Sequence, residues 1–180
     1  LHSLRRLRAS GIRTLRKAGY KITDNAVKRG MERTQWPGRF SCIGETPVFI
    51  LDGAHNEDAA LKLRESVEAY FPGRRLIGIM GVFKDKEYEK IAQTMGTLMS
   101  VVYTVDLPDE KRGLPSEELA EVLGKYCPCV KRPDVSGRQE MVDCAVQAAL
   151  SEAGKEDVII AFGSLSYLHW VKDAYDKAVW

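Results

Sequence analysis

Beyond residue 40 the chain alternates short apolar runs with longer stretches in which apolar positions recur every three or four residues. The short runs predict strands at Phe40–Ile43, Val48–Leu51, Leu76–Val82, Val101–Val105, Cys129–Lys131 and Val158–Phe162. The stretches between them predict helices over Glu57–Tyr70, Glu87–Leu98, Ser116–Lys125, Arg138–Ala153 and Tyr167–Lys177. Strands and helices in alternation imply right-handed crossovers, hence an α/β fold with a doubly wound, mostly parallel sheet. Leu76–Met80 and Val158–Phe162 are apolar throughout rather than at every second position, which suits strands covered on both faces.

The first forty residues follow a different pattern. Leu1, Leu4, Leu7, Ile12 and Leu15 fall loosely on one face of a helix running to about Lys17, with arginines over the rest and Gly11 weakening the middle. Gly19-Tyr20-Lys21 reads as a break, and Thr23 or Asp24 can cap a second helix through about Glu32. Two short basic helices with no strand between them cannot enclose a core. The expected organisation is therefore a helical linker or end of a preceding domain at 1–39 and an α/β domain at 40–180.

Charge sharpens that division. Over its 180 residues the chain carries 27 Lys and Arg against 25 Asp and Glu, a net of only +2. Residues 1–40 hold eleven basic residues against Asp24 and Glu32, a net of +9, so the rest carries −7. Such a split admits a nucleic-acid arm, an anionic-ligand face or a join to another domain. The basic residues surround a helix with an apolar stripe, and Tyr20 and Trp36 are the only aromatics among them before Phe40, a poor stacking platform, so no nucleic-acid partner is expected. The longest apolar runs are far below a membrane span and no targeting segment is visible, so a cytoplasmic protein without a membrane partner is expected. The chain begins with Leu rather than Met, which reads as a piece of something longer. Cys127-Pro-Cys129 invites a metal reading, but C-x-C without a second Cys/His pair supplies too few ligands, and His2, His55 and His169 are scattered. No metal site is expected within these residues.

Ligands of an open parallel sheet bind beyond the strand C-termini, so the polar residues there carry the chemistry. They are Asp52-Gly-Ala-His-Asn56, Phe83-Lys-Asp-Lys-Glu87, Asp106–Gly113 and Gly163-Ser-Leu165. Asp52 ends a strand, where it can accept from vicinal ribose hydroxyls; His55, beside a helix N-terminus, can donate to a phosphate. The same string also reads as a turn in which Asp52 and Asn56 satisfy local backbone groups, and the residues leave both readings open. Trp36-Pro-Gly-Arg39 puts an aromatic and a cation on a stiff loop; an Arg neutralises a polyphosphate in a geometry that Lys cannot imitate, and the residue alone reads equally as a structural Arg paired with a surface carboxylate.

Taken in order, Trp36-Pro-Gly-Arg39, Ile50-Leu-Asp-Gly-Ala-His-Asn56, Gly81-Val-Phe-Lys-Asp-Lys86, Leu114-Pro-Ser-Glu-Glu-Leu119 and Phe162-Gly-Ser-Leu165 resemble the C-terminal domain of the folylpolyglutamate synthase/dihydrofolate synthase branch of the Mur ligase family. The resemblance runs from about Tyr20 to Leu168, and its specific element is Asp-Gly-Ala-His-Asn. It implies a Rossmann-like domain of an ATP-dependent amide ligase, in which ATP converts a folate or pteroate carboxylate to an acyl phosphate that the amine of glutamate attacks. It implies ATP-binding roles for Arg39 at the phosphates and Asp52 at the ribose, with His55 and Asn56 as neighbours of the nucleotide. Lys86 and Ser164 match loops that hold the incoming amino acid. The family's phosphate loop, its magnesium ligands and its pterin site lie in a larger N-terminal ATPase domain, and no G-x-x-x-x-G-K-[ST] string occurs here. The 180 residues alone are thus expected to be inactive, with that domain, ATP, Mg2+, glutamate and folate or dihydropteroate as partners. A ligase for cell-wall or poly-amino-acid substrates and a non-catalytic nucleotide-binding domain are the alternatives. Ser166, in a more polar final turn than is usual, reads as a surface residue.

Overall fold

A computed structural model of the chain describes residues 12–33 and 38–179. The chain divides into two compact units, Leu1–Trp36 and Pro37–Trp180. Most of the first expected helix, together with Trp36 and Pro37, lies outside the described residues. Within the first unit, residues 12–17 are helical and helix α1 spans Asp24–Arg33. Thr23 caps α1 through its hydroxyl, which accepts from Ala26 N at 3.1 Å. The break between the two is a turn at Gly19, whose φ of +92° is the left-handed conformation that glycine adopts without steric penalty.

The second unit is the α/β domain. Its elements are β1 (Ser41–Glu45), β2 (Val48–Leu51), α2 (Glu57–Tyr70), β3 (Leu76–Met80), α3 (Tyr88–Gly96), β4 (Val101–Thr104), α4 (Ser116–Leu123), β5 (Val130–Lys131), α5 (Arg138–Glu152), β6 (Val158–Phe162), a 3-10 turn (Leu165–Tyr167) and α6 (Leu168–Val179). They form one six-stranded sheet in the order β1-β2-β6-β3-β4-β5. β1 runs antiparallel to β2 as an edge hairpin, and every other neighbouring pair is parallel. This is the doubly wound, Rossmann-like architecture that the strand and helix alternation predicts.

The core explains the pattern. All residues of β3, β4 and β6 are buried. Ile50, Met80, Val102, Ile160 and Phe162 pack with α2, α3 and α4 residues such as Leu63, Ile91 and Leu119. Their strand neighbours Phe49, Ile77, Ile79, Ile159 and Ala161 pack on the opposite face with Met141, Val146 and Val171 of α5 and α6. A strand buried on both faces has no solvent side, so its sequence shows no alternation. Each of these large side chains is worth roughly 1.5–3 kcal/mol when fully buried.

Element ends differ from expectation by a few residues, with visible causes. β1 starts at Ser41 because Phe40 has a φ of +48° and gives its amide to Asp52 Oδ2. β3 stops at Met80, beyond which Gly81 meets the turn after β6. A Cβ at Gly163, whose φ is +108°, would run into the Gly81 carbonyl. The expected helix from Tyr167 begins instead with a 3-10 turn nucleated by Ser164, whose hydroxyl accepts from Ser166 N at 3.2 Å. Among the described residues no helix is long and apolar enough to cross a membrane.

Candidate functional site

The strand order places the site. β6 sits between β2 and β3, and the chain leaves β2 and β3 toward the α2–α4 face but leaves β6 toward the α5–α6 face. The loops beyond these strand ends therefore part around a crevice, the switch point where open α/β sheets hold ligands.

At the end of β2, Asp52 is nearly buried, and both of its carboxylate oxygens are held by backbone. Oδ2 accepts from Phe40 N at 2.7 Å and Oδ1 from Ala54 N at 2.8 Å. Gly53 N donates to Gly38 O at 2.7 Å, so residues 38–40 are laced to residues 52–54. That lacing carries Arg39, which is exposed and, among the described residues, donates to the Gly53 carbonyl through Nη1 at 3.4 Å. Burial pushes the Asp52 carboxyl above its ordinary value, against the opposing pull of the two backbone N–H groups, Arg39 and His55. Each carboxylate oxygen retains a second lone pair, so the group can still accept from a hydroxyl.

Asn56 caps α2, its side-chain oxygen accepting from Ala59 N at 2.9 Å. His55 sits 2.8 Å from the Gly53 carbonyl through Nδ1. A carbonyl only accepts, so Nδ1 carries the proton and Nε2 is the nitrogen left for a ligand. The turn reading of this string is realised in its geometry: Asp52 and Asn56 satisfy backbone groups, at the edge of the crevice.

His55, Lys86 and Ser164, from the loops after β2, β3 and β6, line one cleft of about 430 Å3 together with Phe83, Arg112, Leu165 and Ser166. Ser164 is buried, and its hydroxyl lies 2.9 Å from that of Ser166. Ser166 is half-buried in the cleft wall, contrary to its expected surface position, because the 3-10 turn folds it back over Ser164. Tyr167 braces the floor: its hydroxyl donates to Phe162 O at 2.7 Å with Ile79 O sharing the proton at 2.9 Å, which ties β6 to β3. Burial drives the Tyr167 phenol far above its ordinary pKa, so it stays neutral.

Arg112 and Phe83 are cleft residues that the sequence did not single out by role. Asp106, at the start of the loop that carries Arg112, accepts from Ser116 N at 2.7 Å and so serves the start of α4. A larger groove, of about 530 Å3, lies beside β5 and is lined by Tyr103, Lys131, Arg132 and Cys144 among others. None of the sequence-predicted residues reaches it, and its Tyr103 and Lys131 are already bound to Glu152. Of the two, only the switch-point cleft is lined by sequence-predicted residues. Among the described residues no three His, Cys, Asp or Glu side chains stand together as a metal site. The Cys127 thiol donates instead to the carbonyls of Cys129 at 3.1 Å and Met99 at 3.5 Å.

The family model for the Mur ligase, glutamate ligase domain matches residues 38–165. The chain belongs to this family. The match covers every cleft residue except Ser166 and bears out the resemblance carried by the motifs. Among curated relatives, this Mur ligase domain is 31% identical over 172 residues to the dihydrofolate synthase/folylpolyglutamate synthase of Escherichia coli, covering 93% of the chain and 37% of that protein. It is 34% identical over 144 residues to a probable bifunctional folylpolyglutamate synthase/dihydropteroate synthase of Halobacterium salinarum, covering 80% of the chain and 17% of that protein. Among solved structures, E. coli FolC in complex with DHPP and ADP superposes with a TM-score of 0.77 at 28% identity, covering 96% of the chain and 38% of FolC. A bifunctional folylpolyglutamate synthase/dihydrofolate synthase of Yersinia pestis complexed with AMPPNP and Mn gives 0.74 at 26%, covering 93% of the chain and 37% of that protein. The chain thus spans little more than a third of the E. coli relative's length and less of the H. salinarum one.

Proposed function

We propose that this domain supplies the amino-acid-adding half of an ATP-dependent ligase that joins glutamate to the carboxylate of a folate or dihydropteroate acceptor. The carrying observation is the cleft that brings His55, Lys86 and Ser164 together one turn away from the buried Asp52 and the exposed Arg39. In this reading Asp52 accepts from the ribose hydroxyls of ATP with its remaining lone pairs, and Arg39 meets the phosphates. His55 offers Nε2 to the nucleotide from beside the α2 N-terminus, and Asn56 holds that helix end in place. Lys86 and Ser164 hold glutamate so that its amine can attack an acyl phosphate, releasing phosphate and a proton. The catalytic contribution is charge neutralisation and positioning of anions. No step is assigned to magnesium by these residues, because the described part of the chain has no side-chain cluster that fits it. The relatives' names, their bound nucleotides and their additional length support a second, larger domain as the partner that supplies the remaining ATP contacts.

The test is steady-state kinetics of the complete ligase carrying this domain, with Arg39→Ala and Asp52→Ala. Each substitution is expected to lower turnover at fixed ATP by a hundredfold or more, while the 180-residue chain alone neither hydrolyses ATP nor ligates glutamate. Unchanged kinetics in both variants would overturn the site assignment, and robust turnover by the isolated chain would overturn the two-domain reading.

A further inference from the structure

The Tyr167 side chain is fully buried in the α5–α6 face of the core and forms no part of the cleft surface, yet it sits where the cleft's loops diverge. The end of β6 is fastened on both sides. Toward β2, Asp52 N donates to Ala161 O and Gly163 N to Ala54 O, each at 2.9 Å, which ties it to the string that carries Asp52. Toward β3, the strand pairing ends at Met80 and Phe162. There the Tyr167 hydroxyl takes over, donating to Phe162 O at 2.7 Å with Ile79 O sharing the proton at 2.9 Å. One step further on, Gly163 lies so close to the Gly81 carbonyl that a Cβ would not fit between them. Backbone meets backbone at that point, with no side chain to give.

The turn that delivers Tyr167 is built by Ser164 itself. Its hydroxyl accepts from Ser166 N at 3.2 Å and starts the 3-10 turn Leu165–Tyr167. That turn returns the phenol beneath Phe162, two residues before Ser164, so the direction of Ser164 and the place of Tyr167 fix each other. A phenylalanine would fill the same space without a polar atom to bury. The hydroxyl adds a desolvation cost that only its bonds to the two carbonyls offset, so what it contributes is a fixed distance rather than volume.

We propose that Tyr167 is a positioning residue of the ligase. Its hydroxyl sets the gap between the turn that carries Ser164 and the strand that leads to Lys86, and amide formation depends on that gap more than the binding of either ligand does. The inference rests on the ligase reading. Each loop can still hold its part of a ligand when the gap changes, but an amine displaced by a fraction of an ångström attacks poorly. Water then takes its place: acyl phosphate and water give carboxylate and phosphate, whereas amine attack gives the amide, phosphate and a proton.

The experiment is the ratio of phosphate released to amide bonds formed by the complete ligase, with ATP and glutamate kinetics, for Tyr167→Phe and Gly163→Ala. The first removes the tie, and the second wedges a methyl group against the Gly81 carbonyl from the other side. Tyr167→Phe is expected to lower kcat about tenfold or more, to leave the ATP and glutamate KM within about threefold, and to raise the ratio from about one to about two or more. Gly163→Ala should raise the ratio as well. The ratio counts only molecules that turn over, so a loss of folded protein lowers the rate without moving it. A ratio that stays at one in both variants, whatever becomes of kcat or KM, would overturn this role and leave the ligase reading intact. A wild-type enzyme that forms no amide bond with glutamate would overturn the ligase reading itself.

Discussion

Two aspartates at the crevice rim show how one side chain is put to opposite uses. Asp52 is nearly buried and gives both oxygens to backbone amides at 2.7 and 2.8 Å. Asp85 is half-exposed and faces the side-chain cations Lys86 and Arg112, each at 3.4 Å. Burial raises the Asp52 carboxyl. For Asp85 a smaller desolvation acts in the same direction, but Lys86 and then Arg112 outweigh it and hold the carboxyl below its ordinary value. The difference teaches where the cleft is rigid. On the β2 side the wall is backbone laced by a carboxylate, so the position of Arg39 is inherited from the fold. On the β3–β4 side the charges are carried by side chains whose partner a ligand can replace.

The largest expected effect comes from breaking the rigid side. Asp52→Ala leaves the amides of Phe40 and Ala54 without their acceptor and is expected to destabilise the chain by about 2–6 kcal/mol, at roughly 1–3 kcal/mol for each orphaned group. Asp52→Asn should fall between wild type and alanine, because its amide supplies one acceptor but turns N–H donors toward the other backbone N–H. Urea unfolding of the 180-residue chain measures both, and midpoints equal to wild type would show that the lacing is not what holds residues 38–40. The pH dependence has a definite sign. A carboxyl raised in the folded state contributes stability below its unfolded value near 3.8 and loses it as pH rises through the folded value. Compared with Asp52→Asn, wild type should therefore gain stability as pH falls through that window.

A third carboxylate sets the scale between these extremes. Glu152, at the end of α5, accepts from Arg75 at 2.5 Å, Lys131 at 2.7 Å and the Tyr103 hydroxyl at 2.8 Å. It has the same arrangement of one acid between cations as Asp85, but its contacts are closed rather than slack. Lys131, then Tyr103, and Arg75 after an opposing desolvation, pull its carboxyl down to about 2. Its contribution is fully present above an unfolded value near 4.5 and is lost as pH falls toward about 2. Glu152→Gln is expected to cost about 1–2 kcal/mol at neutral pH, limited by solvent screening of the half-exposed Arg75 and Lys131, and to flatten the acid limb of the stability profile. An acid limb as steep as in wild type would mean that Glu152 is a surface pair of no consequence.

The contrast also explains what could be read from the sequence. Glu57–Tyr70 was legible end to end, because Asn56, its cap, and its apolar spacing are local. So were β3 and β6, whose unbroken apolarity reports burial on both faces. The places of Asp52, His55 and Ser164 at the crevice were legible because they follow strand C-termini of a parallel sheet. Phe40 was misplaced into a strand because its positive φ is imposed by Asp52, twelve residues away. Arg112 was legible only as one residue of the polar stretch Asp106–Gly113, with no role of its own. It reaches the cleft through a backbone clamp between residues 82–84 and 112–114, and nothing in either segment alone states that they pair. Ser166 was assigned to the surface because its polarity was visible, whereas the tight turn that folds it over Ser164 was not.

The smallest expected effect is the one that separates the two aspartates most sharply. Asp85→Asn removes a charge whose partners are distant and exposed, so thermal unfolding of the 180-residue chain should be unchanged, in contrast to Asp52→Asn. Its consequence should appear in ligand recognition. With its internal counterion neutralised, the trio of residue 85, Lys86 and Arg112 carries +2 instead of +1, which favours an anionic ligand. The glutamate KM of the complete ligase is then expected to fall by about two- to threefold, as for a weak exposed pair. Added salt should erase the gain, since exposed charges are screened over roughly 8–10 Å at physiological ionic strength. A rise in the glutamate KM would instead place Asp85 among the groups that hold the amino acid through its ammonium.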